Sequence, residues 1–311
     1  MGTNTPTTPS QPDAESPSLN RRFPQTSPVA LRRWLIVGTV AAVGFVLLTI
    51  LLARALPSTT GIDWYHSYRP AVWNILRLQS PYTVDFQNPP WTLVFLFPFA
   101  LLPPEVGRAA LLLIGFAGFA YFGLARGARP LVLALFLTSP PVLHSLINSG
   151  IDWLVLLGLL MPPQIGLLFV VIKPQIGIAV VLFWLIEAWR KGGWREIVHV
   201  FWPLTAIMLL SFVIFGLWPL QMGVNLEESV WWNASLWPAS IPVGLALLVA
   251  SIRTRKIEYA MGASPCLSPY VLLHSWVGAF AALLRRTPEF VAAWIGLWTW
   301  VLISAGILPS F

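Results

Sequence analysis

The sequence predicts an all-α polytopic membrane protein, and three observations carry that class. Of 311 residues, 57% are hydrophobic and only 10% are charged. Soluble domains carry about 25% charged residues, so this chain has too little polar surface to cover a water-soluble globule. Apolar runs recur along nearly its whole length, and several approach the roughly 20 residues that cross a bilayer. The basic residues stand in short groups between those runs: Arg21-Arg22, Arg32-Arg33, Arg190-Lys191 with Arg195, and Arg253, Arg255 and Lys256. That is the pattern left by the positive-inside bias. The net charge of +7 therefore records topology; the lipid bilayer is an expected partner and nucleic acid is not. A single cysteine, Cys266, excludes an internal disulfide framework and any CxxC metal site.

Residues 1–30 are rich in Pro, Thr and Ser and are read as a disordered cytoplasmic tail, too polar to offset its ordering entropy. Residues 31–311 form the membrane domain. The run from Trp34 to Leu52 lacks a small-residue cleavage site and follows a long polar tail, so it reads as a retained helix and not a signal peptide. With the N-terminus cytoplasmic, residues 57–88 emerge as the first extracytoplasmic loop. Within it, Trp64 to Leu78 can form an amphipathic helix at the interface, where Trp and Tyr are favoured.

Spans are expected at 91–103 and 106–125, the second with Gly115, Gly118 and Gly123 permitting close helix packing. Pro140-Pro141, Pro162-Pro163 and Pro174 then cut residues 130–189 into pieces of about 10 to 15 residues, shorter than a full span. Broken helices are tolerated where they line a cavity or are buried in protein. Arg190-Lys191-Gly-Gly-Trp-Arg195 reads as a cytoplasmic turn, which places Lys173 on the same side as Asp63. Spans at 198–217 and 239–252 flank an outer loop holding Glu227, Glu228, Trp231 and Trp232, and spans at 266–284 and 290–308 complete the chain. The total is about nine to eleven transmembrane or partly spanning helices, multi-pass in the plasma membrane. The simplest count strands Arg126, Arg129, Arg285 and Arg286 on the outer side, against the positive-inside bias. No repeat or inverted repeat of the transporter kind is evident.

Asp63 lies in GIDWYHSYRP, beside aromatic rings and near Arg69. It is either a solvated loop carboxylate or a general base toward a bound hydroxyl. His66, Arg69, Tyr82 and Asp85 of the same loop are candidate substrate-binding residues. Lys173, in LLFVVIKPQIG, either snorkels to the interface or holds an anionic head group such as a lipid phosphate. His274, in LSPYVLLHSW, is a packing histidine or part of a polar site. Asp152, in NSGIDW, caps a helix or faces the outer cavity. His144 and His199 have less supporting context. There is no P-loop, HExxH, GxSxG or paired metal-ligand spacing, so soluble nucleotide chemistry is not expected and a metal cannot be argued from the residues.

Asp63, Ser80-Pro81-Tyr82, Asn88-Pro89-Pro90, Lys173-Pro174, and Ser268-Pro269 with His274 form an ordered series across about residues 35–280. The series resembles the polyprenol-phosphate-dependent glycosyltransferases of family 87, which have the C-type membrane fold and include mannosyl and arabinofuranosyl transferases. Gln79 stands where the family has Gly before SPY, Asn88 where it has Tyr, and Leu272 where it has a late Trp. The resemblance implies a C-type fold and a polyprenyl-phosphate sugar as donor, with no other cofactor. It implies an acceptor hydroxyl on a glycan or glycolipid, with transfer by inversion. Asp63 would be the base, and Lys173 and His274 would hold the donor phosphate. The residues themselves leave two alternatives open. One is a transporter or flippase of lipid-linked or small polar substrates, favoured by the broken helices and Lys173. The other is a non-catalytic membrane protein that would tolerate loss of Asp63, Lys173 and His274 together.

Overall fold

The structure, a computed structural model, describes residues 1–2, 28–222 and 233–307. Most of the N-terminal tail and the acidic, tryptophan-containing loop with Glu227, Glu228, Trp231 and Trp232 lie outside the described residues. By its contacts the chain divides after Val46, inside the first helix, α1 (Pro28–Ala55), and the larger unit runs from Leu47 onward. The described residues are all-helical, without a strand.

Proline sets the helix starts. Pro lacks an N–H, and the first turn of a helix leaves its N–H groups unpaired anyway. Accordingly α4 (Pro104–Ala125), α5 (Pro130–Leu137), α6 (Pro140–Asn148), α8 (Pro163–Val170) and α9 (Pro174–Phe215) each begin on proline. Between α6 and α8 lies α7 (Asp152–Gly158). The pieces expected between residues 130 and 189 are therefore present as separate short helices.

Among the described residues, three helices are long and apolar enough to cross a membrane: Ile36–Ala55, Pro104–Ala125 and Pro174–Phe215. A fourth crossing is added if α5 and α6, bent by 48° at their break, count as one. The expected total of about nine to eleven thus resolves into a few full spans and many partial ones. At 42 residues, α9 would be about 63 Å long if straight, twice a bilayer core of about 30 Å. It is instead broken at Gly192 and Gly193, where the backbone leaves helical geometry, at the predicted basic turn.

The sidedness follows from contacts at the two ends of α4 and α9. At the start of α4, Trp64 Nε1 donates to the Pro104 carbonyl (2.9 Å). At its other end Arg126 pairs with Glu258 (2.6 Å), and Arg285 Nε donates to the Arg126 carbonyl (2.8 Å). Arg190 lies about 25 Å along the helix from Lys173, at about 1.5 Å per residue. It donates to the Ile252 carbonyl (2.5 Å). Arg126 and Arg285 therefore join the Arg190 and Arg253–Lys256 groups at one basic end, away from Asp63. This corrects the count that set them on the same side as Asp63.

Two expected spans account for that error. The one at 91–103 is only the eight-residue helix Leu93–Ala100, so α4 starts at the Trp64 end and carries Arg126 to the other. The one at 266–284 sets the place of Arg285. Helix α10 (Ile241–Thr254) is followed by α11 (Ile257–Cys266), then a loop, a 3-10 turn at Leu273–Trp276 and the short α12 (Val277–Ala281). Pro269 disfavours helix for its predecessor, and the loop is fastened instead: Ser235 Oγ donates to the Ser268 carbonyl (2.7 Å) and Asn233 Nδ2 to the Pro269 carbonyl (3.1 Å). The chain enters from the basic end, turns at His274 and returns to Arg285. The last helix is α13 (Thr287–Ser304).

Packing between spans is close. A Cβ on Gly118 of α4 would sit 2.9 Å from the Trp153 ring of α7, so the small residues do admit a neighbouring helix. The loop after α1 is stapled by Arg108, a fully buried residue of α4. Its guanidinium donates to the carbonyls of Leu56 (3.1 Å), Pro57 (2.7 Å) and Thr60 (3.0 Å), and to Thr60 Oγ1 (2.8 Å). Gly61, at φ +79°, has Arg108 Cδ 2.5 Å from where a Cβ would lie, and its N–H donates to the Ile147 carbonyl (2.7 Å). Arg108→Met is expected to lower stability by about 1–3 kcal/mol, since it removes four part-buried hydrogen bonds to the loop. Arg108→Lys should rescue little, because a point charge cannot reproduce the fork. Thermal unfolding in detergent measures both.

Candidate functional site

The staple and the Gly61 contact deliver Asp63 to the point where α6, α7 and the head of α9 meet. Immediately after Asp63 comes one turn of π-helix, Trp64–Tyr68, and then α2 (Arg69–Leu76). Trp64, Tyr68, Ala71 and Val72 are buried, so the segment expected at the interface is packed into the core along one face. Trp73 Nε1 ties α2 to the Ala100 carbonyl of α3 (Leu93–Ala100) at 3.2 Å.

Asp152 is fully buried at the head of α7, where it does not cap the helix; Ile151 occupies the cap position. Ser145 Oγ donates to one carboxylate oxygen (2.7 Å) and Lys173 Nζ to the other (3.0 Å). Lys173, the cap residue of α9, is 6% exposed. It does not snorkel: burial of an ammonium requires a partner, and Asp152 is that partner. Lys173 Nζ also lies 3.0 Å from His274 Nε2. His274 in turn stacks on His144 of α6, with ring centroids 5.2 Å apart. Residues 144, 152, 173 and 274 thus form one buried polar chain drawn from four separate segments.

Asp63 lies within electrostatic reach of this chain. Burial pushes its carboxyl up from 3.8 to about 6; Lys173 pulls the other way, and Asp152 and Asp85 add to the rise. The Tyr68 hydroxyl hydrogen-bonds toward it. The side chain is half-buried, so it combines access with a raised affinity for protons. Arg69 does not serve as its counter-ion: its guanidinium stands over the Trp73 ring (5.6 Å), and the cation that acts on Asp63 is Lys173.

The remaining predicted residues divide. Tyr82 is half-buried, donates to the Asn88 carbonyl (3.0 Å) and stacks on Trp218 (5.9 Å), forming an aromatic wall. Asp85 is exposed, accepts from Gln87 Nε2 (3.0 Å) and adds to the rise of the Asp63 carboxyl. His66 is exposed and contributes no contact to the buried chain. Tyr68, Ser145 and His144 join the site without having been predicted there. The spacing offers a faint signal for two of them, since Ser145 lies on the helix leading into the SGID turn and His144 one residue before it.

An apolar groove of about 460 Å³ is lined by Val72 and Ile75 of α2, Trp91, Leu93, and Ile207 and Ile214 from the second half of α9. Comparison of the chain with protein-family models, with curated proteins and with solved structures finds no match.

Proposed function

We propose that this chain is a membrane glycosyltransferase of the C-type fold, similar to family 87. It moves a sugar from a polyprenyl-phosphate donor to an acceptor hydroxyl on a glycan or glycolipid, on the extracytoplasmic side of the plasma membrane and with inversion. The observation that carries the reading is the convergence of Asp63, Lys173 and His274, which are far apart in sequence, on one site at the end opposite the basic cluster. The positive-inside bias makes that basic end cytoplasmic, with the N-terminus on the same side.

In this reading Asp63 accepts the proton of the acceptor hydroxyl, and the oxygen attacks the anomeric carbon. The bond from that carbon to the phosphate oxygen breaks, its electron pair staying on the phosphate. The leaving group gains one negative charge, which Lys173, with His274 beside it, is placed to offset. An ammonium has three N–H groups; Asp152 and His274 engage two, and the third remains for a phosphate oxygen. The isoprenoid chain would lie in the apolar groove, whose size and lining suit a lipid tail. The purified protein, given mannosyl and arabinofuranosyl polyprenyl phosphates and a glycolipid acceptor, is expected to release polyprenyl phosphate and form an inverted glycoside. Donors left intact across a panel of hexose and pentose forms would overturn the reading.

One observation favours a second reading, a transporter. Buried Asp, Lys and His chains among broken helices are the apparatus of proton-coupled carriers. Substrate flux in proteoliposomes without sugar transfer would select it.

A further inference from the structure

The hydrogen bonds of the buried chain constrain where its protons sit. His144 Nδ1 and His274 Nδ1 are 3.1 Å apart. A neutral imidazole carries one proton on one of its two nitrogens, so this contact is a hydrogen bond only if one Nδ1 is protonated and the other is bare. On the far side of His274, Nε2 meets Lys173 Nζ at 3.0 Å. On the far side of His144, Nε2 lies 3.3 Å from Asn148 Nδ2, which also donates to the His144 carbonyl at 2.9 Å.

Two proton arrangements satisfy the Nδ1 contact. In one, Asn148 donates to a bare His144 Nε2, His144 donates to His274, and His274 Nε2–H points at Lys173. That requires Lys173 to be an uncharged amine beside the Asp152 carboxylate. In the other, Lys173 is an ammonium and donates to both Asp152 and His274 Nε2. The His274 proton then sits on Nδ1 and is donated to His144 Nδ1, and His144 carries its own proton on Nε2. The choice is between a charge-assisted bond of 3.0 Å in a buried setting and a single long amide contact of 3.3 Å. Charge-assisted bonds are about twice as strong as neutral ones, and breaking a buried pair is severe. The ammonium arrangement prevails.

We infer that His144 is a positioning residue: as acceptor for His274 Nδ1–H it keeps His274 Nε2 bare, which holds the Lys173 ammonium between Asp152 and His274 with its third N–H presented to an anionic ligand. His274 then acts through Lys173 and does not itself donate to the ligand from Nε2. The charged groups facing the histidine pair are Asp152 and Lys173. His144 is half-buried and His274 fully buried. The use of this device rests on the proposed function; its geometry does not.

Nitrogen-15 NMR of histidine-labelled protein reads the arrangement directly, since the chain has only four histidines to assign. The expected result is His274 protonated at Nδ1 and His144 at Nε2. A proton on His274 Nε2, or the same tautomer in both rings, overturns the inference without any variant. The second arm measures binding of farnesyl phosphate to the full chain. His144→Asn keeps an acceptor near the Nδ1 position and should bind within about threefold of wild type, whereas His144→Phe keeps the ring but not the acceptor and should bind about tenfold more weakly, the worth of one hydrogen bond. Equal weakening in both variants would make His144 a packing residue and overturn the inference. Failure of the wild-type protein to bind farnesyl phosphate would count against the glycosyltransferase reading instead, with the tautomers still deciding the role of His144.

Discussion

Asp152→Ala is expected to cost about 3–5 kcal/mol of stability, the range for removing one partner of a buried ion pair. The substitution deletes little volume, so cavity formation is not the cause. It strands the Lys173 ammonium in a pocket where both side chains are essentially closed to solvent, at 7% and 0% exposure. His274 is a poor substitute, because a neutral imidazole offers one lone pair and no charge. Ser145 also loses its acceptor and becomes a buried orphan. The double variant Asp152→Ala/Lys173→Met removes both charges and should recover most of the loss, since apolar replacements of buried pairs are often neutral or better. Denaturant unfolding in detergent micelles of the wild type, the two single variants and the double variant closes the cycle. A cost below about 1 kcal/mol for Asp152→Ala would mean that the pair is solvated, as surface pairs are. A double variant that is stable yet fails to bind prenyl phosphate would separate folding from function at this pair.

That separation bears on how much of the molecule could be read from its residues. The membrane class follows from composition, because no arrangement of 10% charged residues covers a soluble globule of this size. The break at Gly192-Gly193 and the proline-headed helices were legible because each is a local effect of backbone chemistry. The span at 266–284 was not. Hydropathy cannot distinguish one apolar crossing from two half-crossings joined at Ser268-Pro269 when both sides of the turn are apolar. That missed reversal moved Arg285 to the wrong end, and the eight-residue helix Leu93–Ala100, read as a full span at 91–103, did the same for Arg126. Asp152 stayed open between two readings for a different reason. An aspartate at a helix head is what both a cap and a buried ion look like in sequence, and the contact that decides between them, with Lys173, spans 21 residues. His144 finds its partner 130 residues away, and no local pattern encodes such a meeting. Asp63 and Lys173 were expected on one side from charge positions alone, and Lys173 does act electrostatically on Asp63. Arg69, a substrate-binding candidate, stands over the Trp73 ring instead.

Asp63→Asn is expected to lower the sugar-transfer rate by about 10²–10⁴-fold, the usual worth of a positioned general base, with little change in donor affinity. Asparagine keeps the shape and the hydrogen bond with Tyr68 but cannot accept the acceptor's proton. The wild-type pH profile supplies the sharper signature. With the carboxyl at about 6, the base is ionised above that value, so the rate should fall as pH drops through about 6. The residual rate of the variant should lack that limb. Stability moves in the opposite sense. A carboxyl raised from 3.8 to about 6 on folding binds its proton more tightly in the folded state, so its contribution to stability is present at low pH and is lost as pH rises toward 6. At pH 7 the ionised form is the strained one, and asparagine relieves it. The variant should therefore be at least as stable as wild type while being nearly inactive. A structural carboxylate would show the reverse: reduced stability with activity lost only in proportion. Full transfer activity in a folded Asp63→Asn protein would remove Asp63 as the base, and with it the reaction proposed for this site.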